Sequence, residues 1–119
     1  MLVVDDDGAL RSTEASILRG AGYSVATAED GDVALRLLKE MTVGLVLLDL
    51  RMPRRDGLSV LESLDSPQLV VLVSAYSLDD ATRAKVDARV VTYLEKPVHP
   101  QRLLETVADS LSQVAAPGR

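Results

Sequence analysis

The chain contains no cysteine, no phenylalanine and no tryptophan among its 119 residues. Without cysteine it can form neither a disulfide framework nor a thiolate metal site. Three tyrosines are its only aromatic residues, so its core must be built from aliphatic side chains. The composition is therefore typical of a protein from a reducing compartment that is held together by aliphatic packing.

Basic residues are outnumbered, with 13 Lys and Arg against 18 Asp and Glu and a formal net charge of -5. Since nucleic-acid binding needs a basic surface, we expect no direct nucleic-acid binding by this domain. The longest apolar run is far shorter than the roughly 20 residues of a membrane span. No charged segment precedes an apolar one at the N-terminus, as a secretory signal would require. We therefore expect a soluble, cytoplasmic protein without membrane contact.

The length of 119 residues fits one domain of ordinary size. A chain of this length buries roughly two-thirds of its unfolded surface, which is enough for a stable core without disulfides or structural metals. We expect residues 1–114 to form the folded domain. Residues 115–119 read Ala-Ala-Pro-Gly-Arg, which is typical of a tail or of the start of a linker.

Short apolar runs alternate along the chain with segments of helical periodicity. The runs begin at about Leu2, Tyr23, Gly44, Leu69 and Val90. A helical pattern follows each run, and the weakest lies over about 79–88, where alanines alone form the apolar stripe. Strand and helix thus alternate five times. This predicts a doubly wound α/β fold, with a five-stranded parallel sheet and helices on both faces.

Polar side chains stand where four of these strands end. Asp5 and Asp6 follow the first strand, Asp49 the third, Ser74 the fourth and Lys96 the fifth. Because the carboxyl ends of parallel strands share one edge, we expect these side chains to converge. Three carboxylates in one place favour a hard divalent cation, and Mg²⁺ is the natural choice. A carboxylate can also attack phosphorus to form an aspartyl phosphate, whose oxygens a lysine and a hydroxyl would stabilise.

These residues carry a family resemblance over residues 2–114. Val4-Asp5-Asp6-Asp7, Asp49-Leu50-Arg51-Met52-Pro53 with Asp56-Gly57, Ser74-Ala75 and Tyr93-Leu94-Glu95-Lys96-Pro97 resemble the motifs of bacterial response regulator receiver domains. Within this family, the chain resembles the chemotaxis receivers. The resemblance implies a flavodoxin-like strand order of 2-1-3-4-5. It also implies a signalling domain rather than an enzyme.

The resemblance implies a role for each residue of the acidic edge. Asp49 would be the phosphoacceptor, and Asp6 and Asp49 would ligate Mg²⁺ together with the main-chain carbonyl of Arg51. Asp5 would hold a metal-bound water. Lys96 would contact Asp49 before phosphorylation and the phosphoryl oxygens afterwards. No other cofactor is implied.

The resemblance also implies a switch. Ser74 would move toward the phosphoryl group, and Tyr93 would turn inward with it. The Lys96-Pro97 peptide would be cis. The expected readout surface comprises the helix over about 79–88, the fifth strand and the last helix.

The implied partners follow from this chemistry. A sensor histidine kinase or a phosphotransfer protein would donate the phosphoryl group from a phosphohistidine. An output domain or a separate downstream protein would receive the signal, and phosphorylation could drive homodimer formation.

The chain departs from the family pattern at a few positions. Arg89 and Val90 replace a usual Gly-Ala pair before the fifth strand, which puts the readout geometry in question. Arg51 and Tyr76 lie two residues beyond Asp49 and Ser74 and are both bulky. We expect them to hinder the attacking water and to give a long-lived phosphorylated form.

The same residues suggest two alternative functions. A small aspartyl-phosphate phosphatase would need an acid two residues after its nucleophile, where this chain has Arg51. A phosphorylation-independent pseudo-receiver would be expected to lack one of the acidic or lysine residues, and here all are present.

Overall fold

A computed structural model of the chain describes residues 1–50, 57–63, 69–74 and 90–115. Five strands and four helices lie within these ranges. The strands are β1 (Leu2–Val4), β2 (Ala26–Ala28), β3 (Leu45–Asp49), β4 (Leu69–Ser74) and β5 (Val90–Glu95). The helices are α1 (Gly8–Gly20), α2 (Gly31–Glu40), α3 (Gly57–Glu62) and α4 (Pro100–Ala115). The helix predicted over about 79–88 lies outside the described residues, as do residues 116–119.

The strands form one parallel sheet with the order β2-β1-β3-β4-β5. This confirms the predicted fold class and strand order. The central strand β3 is buried over its whole length, as its unbroken aliphatic sequence predicts for a strand covered on both faces. Its partners β1 and β4 are nearly as buried.

Successive side chains of each strand point to opposite faces of the sheet, which creates two separate cores. The first core combines Val4, Val46, Leu48, Val70 and Leu72 with residues of α2 and α3, among them Ala34 and Val60. The second combines Val3, Leu45, Leu47, Val71, Val73 and Leu94 with Leu18 of α1 and with Leu103 and Val107 of α4. Helices α2 and α3 therefore cover one face, and α1 and α4 cover the other.

The helices begin at residues whose side chains satisfy free main-chain N–H groups. Asp7 precedes α1 and accepts hydrogen bonds from the N–H groups of Ala9 and Leu10. Asp30 precedes α2 and accepts one from Val33. Helix α4 starts at Pro100, where a missing N–H costs nothing. Aspartate before the first turn and proline within it are residue types that favour the start of a helix.

Two details differ from the periodicity-based expectation. Strand β2 is shorter than the predicted segment from Tyr23, since it comprises only Ala26–Ala28. In α4, apolar periodicity alone would assign Leu104, Val107, Ala108 and Leu111 to the inner face, but the buried stripe is Leu103, Thr106, Val107 and Ser110. The Ser110 hydroxyl donates to the Thr106 carbonyl at 2.8 Å, and a hydroxyl satisfied in this way can be buried.

No helix in the described part of the chain has both the length and the apolar character needed to cross a bilayer.

Candidate functional site

The sheet register brings the predicted site residues to one edge. Val4 of β1 lies beside Leu48 of β3, so the next residues, Asp5 and Asp49, emerge side by side. Ser74 ends β4 beside Glu95, and Lys96 follows directly. The N–H of Lys96 donates to the Ser74 carbonyl at 2.8 Å, which continues the sheet bonding into the site. The edge is therefore built by strand register and needs no long loop.

Lys96 forms ion pairs with two carboxylates at this edge. Its Nζ lies 3.2 Å from Asp49 Oδ1 and 3.5 Å from Asp5 Oδ2. Both acids are buried, with exposed fractions of 4% for Asp49 and 1% for Asp5. A buried carboxylate is stable only when it is paired or hydrogen-bonded. Lys96 supplies the compensating charge for both.

The loop between β1 and α1 orients the acidic pair. The N–H of Asp7 donates to Asp5 Oδ1 at 2.9 Å, while the Asp7 side chain caps the helix. The N–H of Asp5 still donates to the Ala28 carbonyl at 3.2 Å, so its main chain remains tied to β2. Asp5 is therefore held from the sheet, the loop and the ammonium of Lys96. Asp7 serves the helix and does not join the cluster.

Asp5, Asp6 and Asp49 form a cluster whose nearest oxygens all lie within 4.8 Å of one another. Asp6 is exposed, whereas the other two are buried. Carboxylate oxygens at this spacing are hard ligands that suit a divalent cation such as Mg²⁺. The cluster therefore fits a metal site that opens to solvent on the side of Asp6.

The environment raises the pKa of Asp49 from 3.8 to about 6. Burial is the main cause, because it disfavours the charged carboxylate. The negative charge of Asp5 raises the pKa further, and the ammonium of Lys96 lowers it. At neutral pH most Asp49 side chains are thus ionised, although their charge is costly. A cation bound beside Asp49 would therefore stabilise its charged carboxylate.

Burial and the neighbouring carboxylates act on the pKa of Lys96 in opposite directions. Partial burial alone would lower the pKa of its ammonium. The attraction of Asp49 and Asp5 outweighs that effect, so the pKa of Lys96 is raised. Lys96 therefore stays charged throughout the physiological pH range.

Glu14 is a fourth acidic residue near the cluster, and the sequence analysis did not single it out. It lies on the inner face of α1, one turn before Leu18, with only 6% of its surface exposed. Burial raises its pKa to about 7, and the charges of Asp5 and Asp49 act in the same direction against the attraction of Lys96. Its position four residues before buried Leu18 was the available signal.

The remaining predicted residues are only partly described. Ser74 is buried at the end of β4, and half-buried Tyr93 packs against the core beneath α2 and α3. The Lys96-Pro97 peptide is cis, as predicted. Arg51, the predicted carbonyl ligand, lies outside the described residues, as do Tyr76 and Arg89. The structure thus brings together Asp5, Asp6, Asp49 and Lys96, with Ser74 on the adjoining strand end.

The sequence of the chain matches one protein family. The model of the response regulator receiver domain family matches residues 1–108. The chain is 36% identical over 119 residues to the transcriptional regulatory protein GlrR of Escherichia coli K12, an alignment that covers 97% of this chain and 27% of GlrR. The chain therefore spans about a quarter of the length of that relative.

Solved structures agree with the sequence match. A CheY-like response regulator receiver domain protein from Methanospirillum hungatei superposes with a TM-score of 0.90 at 28% identity, covering 98% of this chain and 96% of the other. The receiver domain of NtrX from Brucella abortus gives a TM-score of 0.83 at 31% identity, with 93% and 97% of the two chains covered. Sequence and fold thus point to the same family.

Proposed function

Because this chain belongs to the response regulator receiver domain family, we propose that Asp49 accepts a phosphoryl group from a phosphohistidine on a sensor histidine kinase or a phosphotransfer protein. A carboxylate oxygen of Asp49 attacks phosphorus, the P–N bond to the histidine breaks, and an aspartyl phosphate forms. The observation that carries the proposal is the position of Asp49. It is a buried carboxylate at the end of the central strand, beside two further acids and 3.2 Å from an ammonium.

Asp6 and Asp49 would bind Mg²⁺ directly, together with the main-chain carbonyl of Arg51. Asp5 would act through a metal-bound water, as the family resemblance implies. Oδ1 accepts the Asp7 N–H at 2.9 Å, and Oδ2 pairs with Lys96 at 3.5 Å. When bound, the ion supplies positive charge beside the phosphoryl oxygens. Asp6 is exposed, so a hydrated cation can reach the cluster from its side.

Lys96 would neutralise the arriving phosphoryl group. Its Nζ bridges Asp5 and Asp49. Formation of the acyl phosphate on Asp49 removes a carboxylate charge and brings phosphoryl oxygens close by. The ammonium then has a new anionic partner within a small displacement, while Asp5 keeps it at the site. A charge that is already in position costs little reorganisation when the reaction occurs.

Ser74 and Tyr93 would convert the new group into a conformational signal. Ser74 ends the strand next to Asp49, and its hydroxyl can donate to a phosphoryl oxygen. Tyr93 lies on β5, three residues before Lys96. Its side chain is half-buried, so the ring would turn between a buried and an exposed position. A two-state element of this kind needs only a difference in affinity for one new group.

The receiver would pass the signal to an output domain or to a separate downstream protein, and phosphorylation would favour a homodimer. The E. coli relative is nearly four times as long as its matched part, which leaves room there for output domains. We propose no direct nucleic-acid binding by the receiver, whose net charge is -5. The cytoplasmic location and the domain boundary at residue 114 stay predictions from the sequence.

The decisive experiment is incubation with acetyl phosphate and Mg²⁺, followed by intact mass measurement and size-exclusion chromatography. We expect a gain of one phosphoryl group in the wild type and in Asp109→Asn, an exposed control on α4. Asp49→Asn should gain none. A wild type that gains no mass from acetyl phosphate or from a cognate kinase would leave the pseudo-receiver alternative. Turnover of a generic phosphate ester would favour the phosphatase.

A further inference from the structure

Arg11 reaches from α1 back to the acidic loop. Its Nη1 donates a hydrogen bond to the main-chain carbonyl of Asp5 at 2.9 Å. The guanidinium lies across the first turn of the helix, since a Cβ atom on Gly8 would lie 3.6 Å from Nη2. The side chain is half-buried in this position. An arginine of α1 therefore holds the main chain at the point where β1 ends.

The hydrogen bond acts on the peptide that joins Asp5 to Asp6. Because a peptide unit is planar, fixing the direction of the Asp5 carbonyl also fixes the plane that contains the nitrogen and Cα of Asp6. Among the described residues, the other hydrogen bonds of this loop do not involve the Asp5 carbonyl. They hold the Asp5 N–H and the Asp5 carboxylate. Arg11 thus fixes the peptide on the N-terminal side of Asp6, while the bond from the Asp7 N–H to Asp5 Oδ1 fixes the peptide on its C-terminal side.

The position of the Asp6 side chain depends on the Arg11 hydrogen bond more than the positions of Asp5 and Asp49 do. Its side chain is exposed, and within the described parts of the chain no hydrogen bond or ion pair holds its carboxylate. Asp5 and Asp49 are instead buried and paired with Lys96. We propose that Arg11 is a positioning residue, which aims Asp6 at the metal by fixing the Asp5–Asp6 peptide. This inference rests on the proposed Mg²⁺ site.

The expected change in Mg²⁺ affinity on removal of Arg11 is opposite in sign to the change that charge alone would produce. Arg11 places a positive charge beside a cation site, so its removal should tighten Mg²⁺ binding if charge alone mattered. If Arg11 positions Asp6, its removal weakens binding in spite of the favourable change in charge. Ligand-supporting groups of this kind alter metal affinity by roughly tenfold or more.

Arg19 provides a matched control on the same helix. Its Nη2 donates to the main-chain carbonyl of Val25 at 2.8 Å, again six residues away in sequence, at the end of α1 remote from the cluster. Arg11→Gln and Arg19→Gln each remove one guanidinium-to-carbonyl bond and one positive charge. Arg11→Gln frees the loop between β1 and α1, whereas Arg19→Gln frees the loop between α1 and β2.

The test is an Mg²⁺ titration followed by amide chemical shifts, with melting temperatures measured in EDTA. We expect Arg11→Gln to raise the Kd for Mg²⁺ by about tenfold, Arg11→Lys to recover part of the affinity, and Arg19→Gln to bind as the wild type does. Arg11→Gln should melt at a lower temperature than Arg19→Gln, because the Arg11 bond is partly buried and the Arg19 bond is exposed. Arg11→Lys keeps a donor and a charge, so it carries the test if Arg11→Gln does not fold.

Unchanged or tighter Mg²⁺ binding by folded Arg11→Gln would overturn the positioning role and leave Arg11 as a structural residue only. In that case the wild type would still bind Mg²⁺ and gain a phosphoryl group, so the proposed function would stand. A wild type that does not bind Mg²⁺ at all would overturn the metal site together with this inference.

Discussion

The Lys96 ammonium lies 3.2 Å from the Asp49 carboxylate and shares its charge with Asp5. This contact offsets the repulsion between two acids that the sheet register forces together. Lys96 therefore has a structural role before any phosphoryl group arrives. The same placement that stabilises the resting site leaves the ammonium beside the reactive oxygen.

Replacing Lys96 with methionine should destabilise the metal-free protein. Asp5 and Asp49 would then lie side by side and buried with no compensating cation, and removing one partner of such a buried pair costs roughly 3 to 5 kcal/mol. Mg²⁺ should restore part of the loss, because it returns positive charge to the cluster. Urea unfolding in EDTA and in Mg²⁺ measures both effects. Lys39→Met, an exposed control on α2, should unfold like the wild type. Equal stability of the two variants would refute the structural role.

The ionisation of Asp49 should be visible in a direct titration. Because burial and Asp5 raise its pKa to about 6, its carboxyl carbon should titrate near pH 6 in a ¹³C NMR experiment in EDTA. Asp49→Asn assigns the signal. Lys96→Met should move the midpoint upward, since the ammonium holds the pKa down. A midpoint near the ordinary aspartate value would contradict the effect of burial.

Much of this arrangement follows from the sequence. The run Leu45–Leu48 before Asp49 predicts a buried central strand, and parallel strands place their following residues on one edge. What the sequence pattern missed lies on the helices. Apolar periodicity would assign Leu10 to the inner face of α1, yet Leu10 is 38% exposed while Glu14 is buried. Periodicity marks the buried face only when its residues are apolar, and Glu14 and Ser110 are not.

The buried side chain of Glu14 on α1 leads to a prediction for the stability of the protein. The pKa of Glu14 is about 7 in the folded protein against 4.5 when unfolded. Between these values the folded state binds more protons, so the free energy of unfolding falls as pH rises through this window. Glu14→Gln removes the effect and should be more stable at pH 8 by roughly 2 kcal/mol.

The measurement is urea unfolding of the wild type and Glu14→Gln at pH 5 and pH 8. The variant should lose less stability than the wild type between the two pH values. Glu14→Leu should be more stable still, since a leucine matches the apolar surroundings of Leu18. Glu40→Gln, an exposed acid at the end of α2, is the control and should follow the wild type. If Glu14→Gln gains nothing at pH 8, the buried acid is stabilised by a contact of another kind.

Asp7 tests whether the third acid of the loop belongs to the helix or to the metal site. Its carboxylate accepts the N–H groups of Ala9 and Leu10 at 3.0 and 3.1 Å, so Asp7→Ala should cost about 1 kcal/mol, as a lost N-cap does. Asp7→Ser should retain most of the stability. Asp30→Ala, which removes the cap of α2, should cost a similar amount. Mg²⁺ affinity should change little in Asp7→Ala, because the Asp7 N–H that holds Asp5 remains. Full stability together with lost Mg²⁺ binding would instead make Asp7 a ligand.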